Sequence, residues 1–126
     1  MAGLTYDSGA LIAAGRNDRR LWDIHYRALE RGVLPTVPTV ALTQVWRGGP
    51  QPLLARLMGR CQIEPLGAVA ARQAGVALAR SGTQDVPDAV VVVSALERQD
   101  AVVTTDRTDI EHIARSLGSR LNIIDV

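Results

Sequence analysis

Five aspartates stand where this chain passes from one apolar stretch to the next: Asp7, Asp85, Asp88, Asp106 and Asp109. Asp7 closes Gly3-Leu4-Thr5-Tyr6, and Asp106 closes Ala101-Val102-Val103-Thr104-Thr105. Asp85 and Asp88 stand at the mouth of the apolar segment Ala89 to Leu96, and Asp109 lies in the turn after Asp106. Carboxylates gathered in one place repel one another and raise one another's pKa. A hard divalent cation, Mg²⁺ or Mn²⁺, relieves that repulsion and prefers oxygen ligands. The pattern predicts a metal-dependent enzyme acting on a phosphorylated substrate. Asp85 also reads as a helix N-cap with Asp88 at the third helical position, and Asp109 as a helix-start residue. Asp7 and Asp106, at the ends of apolar strands, have little such structural excuse.

The elements that must position these acids alternate between two periods. Strands are expected at Leu4 to Tyr6, Val33 to Val37, Cys61 to Leu66, Ala101 to Thr105 and Leu121 to Ile124. Helices are expected at Ala10 to Ala14 (stopped by Gly15), Asp18 to Arg31, Val40 to Arg47 with Thr39 as N-cap, Pro50 to about Met58, Ala68 to Arg80, Asp88 to Arg98 and Thr108 to Leu117. Val90 to Val93 has strong β propensity, but its neighbours argue for a buried helix. Strands alternating with helices imply a parallel sheet with right-handed crossovers. The expected architecture is a single domain over 1–126, a three-layer α/β/α sandwich around a parallel sheet of four to five strands. In such a sheet ligands gather at the carboxyl ends of the strands. If the runs ending at Asp7 and Asp106 are neighbours, the acids converge on one edge.

Composition narrows the classes. A 47% hydrophobic content excludes disorder, and aromatics at 3% with no Phe leave Ala, Val, Leu and Ile to build the core. The net charge of +1 gives no general field for nucleic acid, although all 14 basic residues are Arg, whose fork binds phosphate bidentately. Cys61 is alone, so no disulfide framework or Cys-based zinc site is expected, and His25 and His112 are not at zinc spacing. No segment reads as a signal peptide or a membrane span, which predicts a cytoplasmic protein with no membrane partner. Arg47, before Gly48-Gly49, is a candidate for substrate phosphate or a structural Arg. Ser8 and Thr105 are candidates to orient carboxylates or water, or to satisfy local backbone.

Three segments resemble the motifs of PIN-domain nucleases. Leu4-Thr5-Tyr6-Asp7-Ser8-Gly9-Ala10-Leu11-Ile12 resembles their opening strand and Asp. Asp85-Val86-Pro87-Asp88-Ala89 resembles the start of their central acidic helix, and Val102 through Ile110 resembles their last acidic motif. Length and Arg/Ala-rich character are similar to the VapC-type toxins of bacterial toxin–antitoxin pairs. The resemblance implies an endoribonuclease using Mg²⁺ or Mn²⁺ at Asp7, Asp88 and Asp106, with Asp85 and Asp109 as further ligands. It also implies an RNA substrate, products with a 5′-phosphate and a 3′-hydroxyl, a cognate small antitoxin that blocks the site, and a homodimer.

One position departs from the family pattern. A Glu is expected in the helix after the second strand, where Ala41-Leu42-Thr43-Gln44-Val45-Trp46-Arg47 offers Gln44. Its neutral amide is a weaker ligand and suits a supporting hydrogen bond, while Asp85, three residues before Asp88, could supply the missing charge. The departure keeps open a PIN-fold module that binds RNA or a partner without cutting. A phospho-accepting receiver domain needs a lysine opposite its acids, and this chain has none.

Overall fold

The computed structural model describes residues 3–126; Met1 and Ala2 of the expected 1–126 domain lie outside the described residues. Strand β1 (Leu4–Tyr6) leads through α1 (Ser8–Gly15) and α2 (Arg19–Glu30) to β2 (Thr36–Pro38). Helices α3 (Thr39–Leu42) and α4 (Pro52–Met58) precede β3 (Gln62–Glu64). Helices α5 (Ala68–Ser81) and α6 (Val86–Arg98) precede β4 (Ala101–Thr104), and α7 (Arg107–Ser116) precedes β5 (Ile123–Asp125). The five strands form one parallel sheet in the order β3-β2-β1-β4-β5. The α/β architecture expected from the alternation is therefore present.

Every residue of β1, β2 and β4 is buried. Successive strand side chains point to opposite faces, so both faces of the central sheet are covered. Helices α1, α2 and α4 pack as one group and α5, α6 and α7 as another. Helix α6 is buried continuously from Ala89 to Ala95 and touches β1, β2 and β4. Tertiary burial outweighs the β propensity of its valines, because a helix enclosed on all sides needs apolar side chains all round.

Chain order reverses between β1 and β4: the chain runs outward from β1 through β2 to β3, then returns to β4 beside β1. Such a switch point opens a crevice outside the carboxyl ends of the two strands. Asp7 and Asp106 follow those two ends.

Several expected elements differ in extent. The helix foreseen over Val40 to Arg47 shrinks to the single turn α3, with Pro38 rather than Thr39 at the cap position. Side chains take over the carbonyls that a longer helix would use. Arg47 donates to the carbonyls of Thr43, Gln44 and Trp46, and Gln51 donates to Val45. Helix α4 starts at Pro52 rather than Pro50, β2 lies later than Val33, and β3 is a short, mostly exposed edge strand inside Cys61 to Leu66. Gly15 does not stop α1 but ends inside it. The reversal falls to Asn17 at φ 59, after which Asp18 caps α2 by accepting from the Leu21 N–H at 2.9 Å.

Candidate active site

The site is built from three junctions, β1 to α1, α5 to α6 and β4 to α7. Asp7 is buried, and contrary to expectation it has a structural role as the N-cap of α1. Its Oδ1 accepts from the Ala10 N–H at 2.8 Å, and its Oδ2 accepts from the Thr104 hydroxyl. Thr104 Oγ also accepts from the Asp106 N–H at 2.8 Å. One buried hydroxyl thus ties the end of β1 to the start of α7. A strand alternation places only one of the Thr104-Thr105 pair inward, and the sequence does not say which. The inward residue is Thr104, which sequence reasoning passed over; Thr105 is exposed.

Asp85 caps α6 by accepting from the Asp88 N–H at 3.0 Å, which fixes Asp88 on the first turn. Asp109 lies on the first turn of α7. All five aspartates converge. The Asp88 carboxyl is pushed up to about 7, first by burial and then by the charges of Asp85, Asp7, Asp109 and Asp106. Burial raises Asp7 against the hydrogen bonds from Thr104 and Ala10, and Asp106 adds to the rise. Asp109 is raised by its hydrogen bond to Asp106 and by that neighbour's charge.

Among the described residues no Arg side chain pairs with these acids, and His112 opposes their charge only at Asp109. Among the described residues the ion pairs are Arg98 with Glu64 and Asp100, Arg107 with Glu111 and Asp125, and Arg115 with Glu111. Arg107 follows Asp106 directly, yet its guanidinium is turned to Asp125 and the Ile123 carbonyl. Arg47 is committed to the carbonyls of its own turn, and Gln44 is exposed with no side-chain hydrogen bond. Ser8 opens α1 and is half-buried.

Gly9 stands where α1 meets the loop after β4. A Cβ there would collide with the Thr105 hydroxyl and stand 3.2 Å from Asp7 Oδ1. Glycine lets the β4 loop close onto α1.

The donor chemistry fits a hard cation: all-oxygen, anionic and mutually repelling. Among the described residues no group of three or more Asp, Glu, His or Cys side chains is arranged to hold a metal ion. Mg²⁺ does not require one, since it keeps several waters and is held by one or two carboxylates with substrate phosphate oxygens.

The overall fold recurs in solved structures. A chain of VapBC2 from Rickettsia felis, bound to a DNA fragment from their promoter, aligns with a TM-score of 0.71 at 12% identity over 98% of each chain. The fold is PIN-like. A chain of DNA-bound VapBC from Salmonella typhimurium aligns with a TM-score of 0.70 at 23% identity, over 99% of this chain and 98% of that one. A toxin–antitoxin complex from Klebsiella pneumoniae gives 0.65 at 18% identity over 86% and 89%. No family model and no curated protein matches the sequence. Among the described residues no helix is long and apolar enough to cross a membrane.

Proposed function

We propose that this protein is a divalent-metal-dependent endoribonuclease and the toxin of a toxin–antitoxin pair. The observation that carries the reading is the convergence of five aspartates at the switch point with no paired Arg among the described residues, and Asp88 pushed up to about 7. Fold likeness to proteins solved as toxin–antitoxin complexes supports the biological role and a small antitoxin as partner. The cytoplasm is the compartment such a role implies.

Asp7, Asp88 and Asp106 would hold Mg²⁺ or Mn²⁺, with Asp85 and Asp109 at the rim. When bound, such a cation lowers the pKa of a water and offsets charge on the phosphoryl oxygens during hydrolysis. Thr104 and the Ala10 N–H lock both oxygens of Asp7, so its orientation is set before any ligand arrives. The Asp85 cap fixes the backbone of Asp88, whose carboxyl holds or releases a proton near neutrality.

The test is cleavage of mixed-sequence RNA by the purified protein with Mn²⁺, with Mg²⁺ and with chelator. Metal-dependent cleavage that Asp106→Asn abolishes supports the reading, and an inert wild-type protein sinks it. The exposed, neutral Gln44 favours the second reading, a PIN-like module that binds without cutting. That reading predicts RNA or partner binding with no cleavage under any metal.

A further inference from the structure

Two hollows flank the acids. One is bordered by Asp85, Asp88 and Asp109 with Thr83 and Gln84, and it has no cation in its wall. The other, of ≈ 390 Å³, opens between α1 and the loop after β4. Gly9, Ile12, Ala13 and Arg16 line it, and Thr105 faces them. Gly9, Ile12 and Ala13 of α1 and its C-cap Arg16 follow the i, i+3, i+4, i+7 spacing of a single helical face. That face begins at Gly9, where α1 presses on Thr105 beside Asp7, and ends at Arg16. Asp18 also borders the hollow, but its carboxylate is engaged by the Leu21 N–H.

The wall supplies complementary chemistry along its length. Ile12 is 42% exposed, an apolar side chain left open beside the buried Leu11 and Ala13. Arg16 is exposed and forms no ion pair or side-chain hydrogen bond among the described residues. It is the one basic residue bordering either hollow. Along α1, Arg16 lies about 13 Å from Asp7, and helical side chains lean back toward the N-terminus. A polyanionic strand approaching five aspartates gains from a cation set just beyond them. The volume lies in the range of sites that enclose a small organic group.

We infer that this hollow seats the nucleotide next to the cleaved bond, Arg16 holding its phosphate and Ile12 supporting its base. The inference rests on the RNA-cleaving reading above and assigns a substrate-positioning role to residues outside the acidic motifs.

Binding and cleavage separate the two claims. Fluorescence anisotropy with a labelled, mixed-sequence single-stranded oligoribonucleotide is measured in an Asp106→Asn background with Mn²⁺. Arg16→Ala should weaken binding on the order of tenfold, as loss of one charge-assisted contact does. It should also lower the slope of log affinity against log salt by about 0.7, the value for one phosphate contact on a single strand. Arg16→Lys should restore the slope. Arg115→Ala, which removes an Arg paired to Glu111 on α7, should leave the slope unchanged. In the otherwise wild-type protein, Arg16→Ala should raise KM and leave kcat nearly unaltered. Unchanged affinity and slope for Arg16→Ala, or an equal fall for Arg115→Ala, overturns the subsite. Failure of the nuclease reading shows separately, as absence of cleavage by the wild-type protein.

Discussion

Helix α6 carries acidic chemistry at both ends, and the chain treats the two ends differently. At the carboxyl end, Arg98 donates to Asp100 at 3.0 Å, to Glu64 and to the Thr5 hydroxyl at 2.8 Å, while Ser94 donates to Glu64 and Thr5 to Asp100. Glu64 and Asp100 there share the Arg98 cation, and each accepts a further hydroxyl hydrogen bond. At the amino end, Asp85 and Asp88 join Asp7, Asp106 and Asp109 with no Arg among the described residues paired to them. Opposed charges at a partly buried site hold a fold together, and removing one partner leaves the others stranded. Like charges held together weaken a fold and persist where another ligand is to complete them. The contrast separates acids that hold the structure from acids that await a ligand.

The largest effect should come from neutralising the unpaired end. Asp7→Asn and Asp106→Asn should lower RNA cleavage by more than about a hundredfold, since even residues that only support metal ligands contribute up to that factor. The metal-free melting temperature of Asp106→Asn should hold or rise, because Asp106 makes no side-chain cap bond and the repulsion falls, whereas Asp7→Asn keeps an acceptor for the Ala10 N–H but loses the one for the Thr104 hydroxyl, which offsets that gain. Cleavage assays paired with thermal melts check both halves; a variant that cuts normally removes its aspartate from the site.

Arg98→Met should break the other end. With Glu64 and buried Asp100 left without their cation, the protein should lose about 2 to 3 kcal/mol, short of the range for a fully buried pair because Arg98 and Glu64 are partly exposed. Urea denaturation measures the loss. Cleavage per folded molecule should stay at the wild-type level, and a fall comparable to Asp7→Asn would erase the distinction between the ends.

A smaller effect lies in the pH dependence. Folding raises the Asp88 carboxyl from 3.8 to about 7, so the folded state binds its proton more tightly than the unfolded chain. The contribution is full below 3.8 and is lost as pH rises through about 7. In metal-free protein, Asp88→Asn should therefore gain in melting temperature relative to wild type as pH climbs across that window. Buried His25 works in the opposite sense. Burial and Arg60 lower it to about 4, so its contribution is present above 6.5 and lost as pH falls toward 4. The difference between Asp88→Asn and wild type removes the shared His25 term, and a flat difference would mean Asp88 is not held against its neighbours.

Gln44→Glu should have the smallest effect. An exposed extra carboxylate at the rim should tighten Mn²⁺ by about fivefold at most, the scale of an exposed charge interaction. Titration calorimetry reads it, and an unchanged affinity would place Gln44 outside the field of the acids.

The sequence by itself determined the alternation of strands and helices, the parallel sheet and the set of five acids, because periodicity, strand-end position and residue type are local properties. Asp85 as cap and Asp88 at the third helical position were legible for the same reason. Tertiary structure alone decided the rest. It gave Asp7 its Thr104 partner, because a contact between residues 97 apart leaves no trace in spacing. It turned Arg107 away from the acids toward Asp125, and it ended α3 after one turn, with the Arg47 and Gln51 side chains bonding the carbonyls of residues 43–46 that follow it. It also chose Arg98, among 14 arginines of like appearance in the sequence, to neutralise Glu64 and Asp100. A charge is visible in one dimension, but its partner is fixed by which elements meet when the sheet closes.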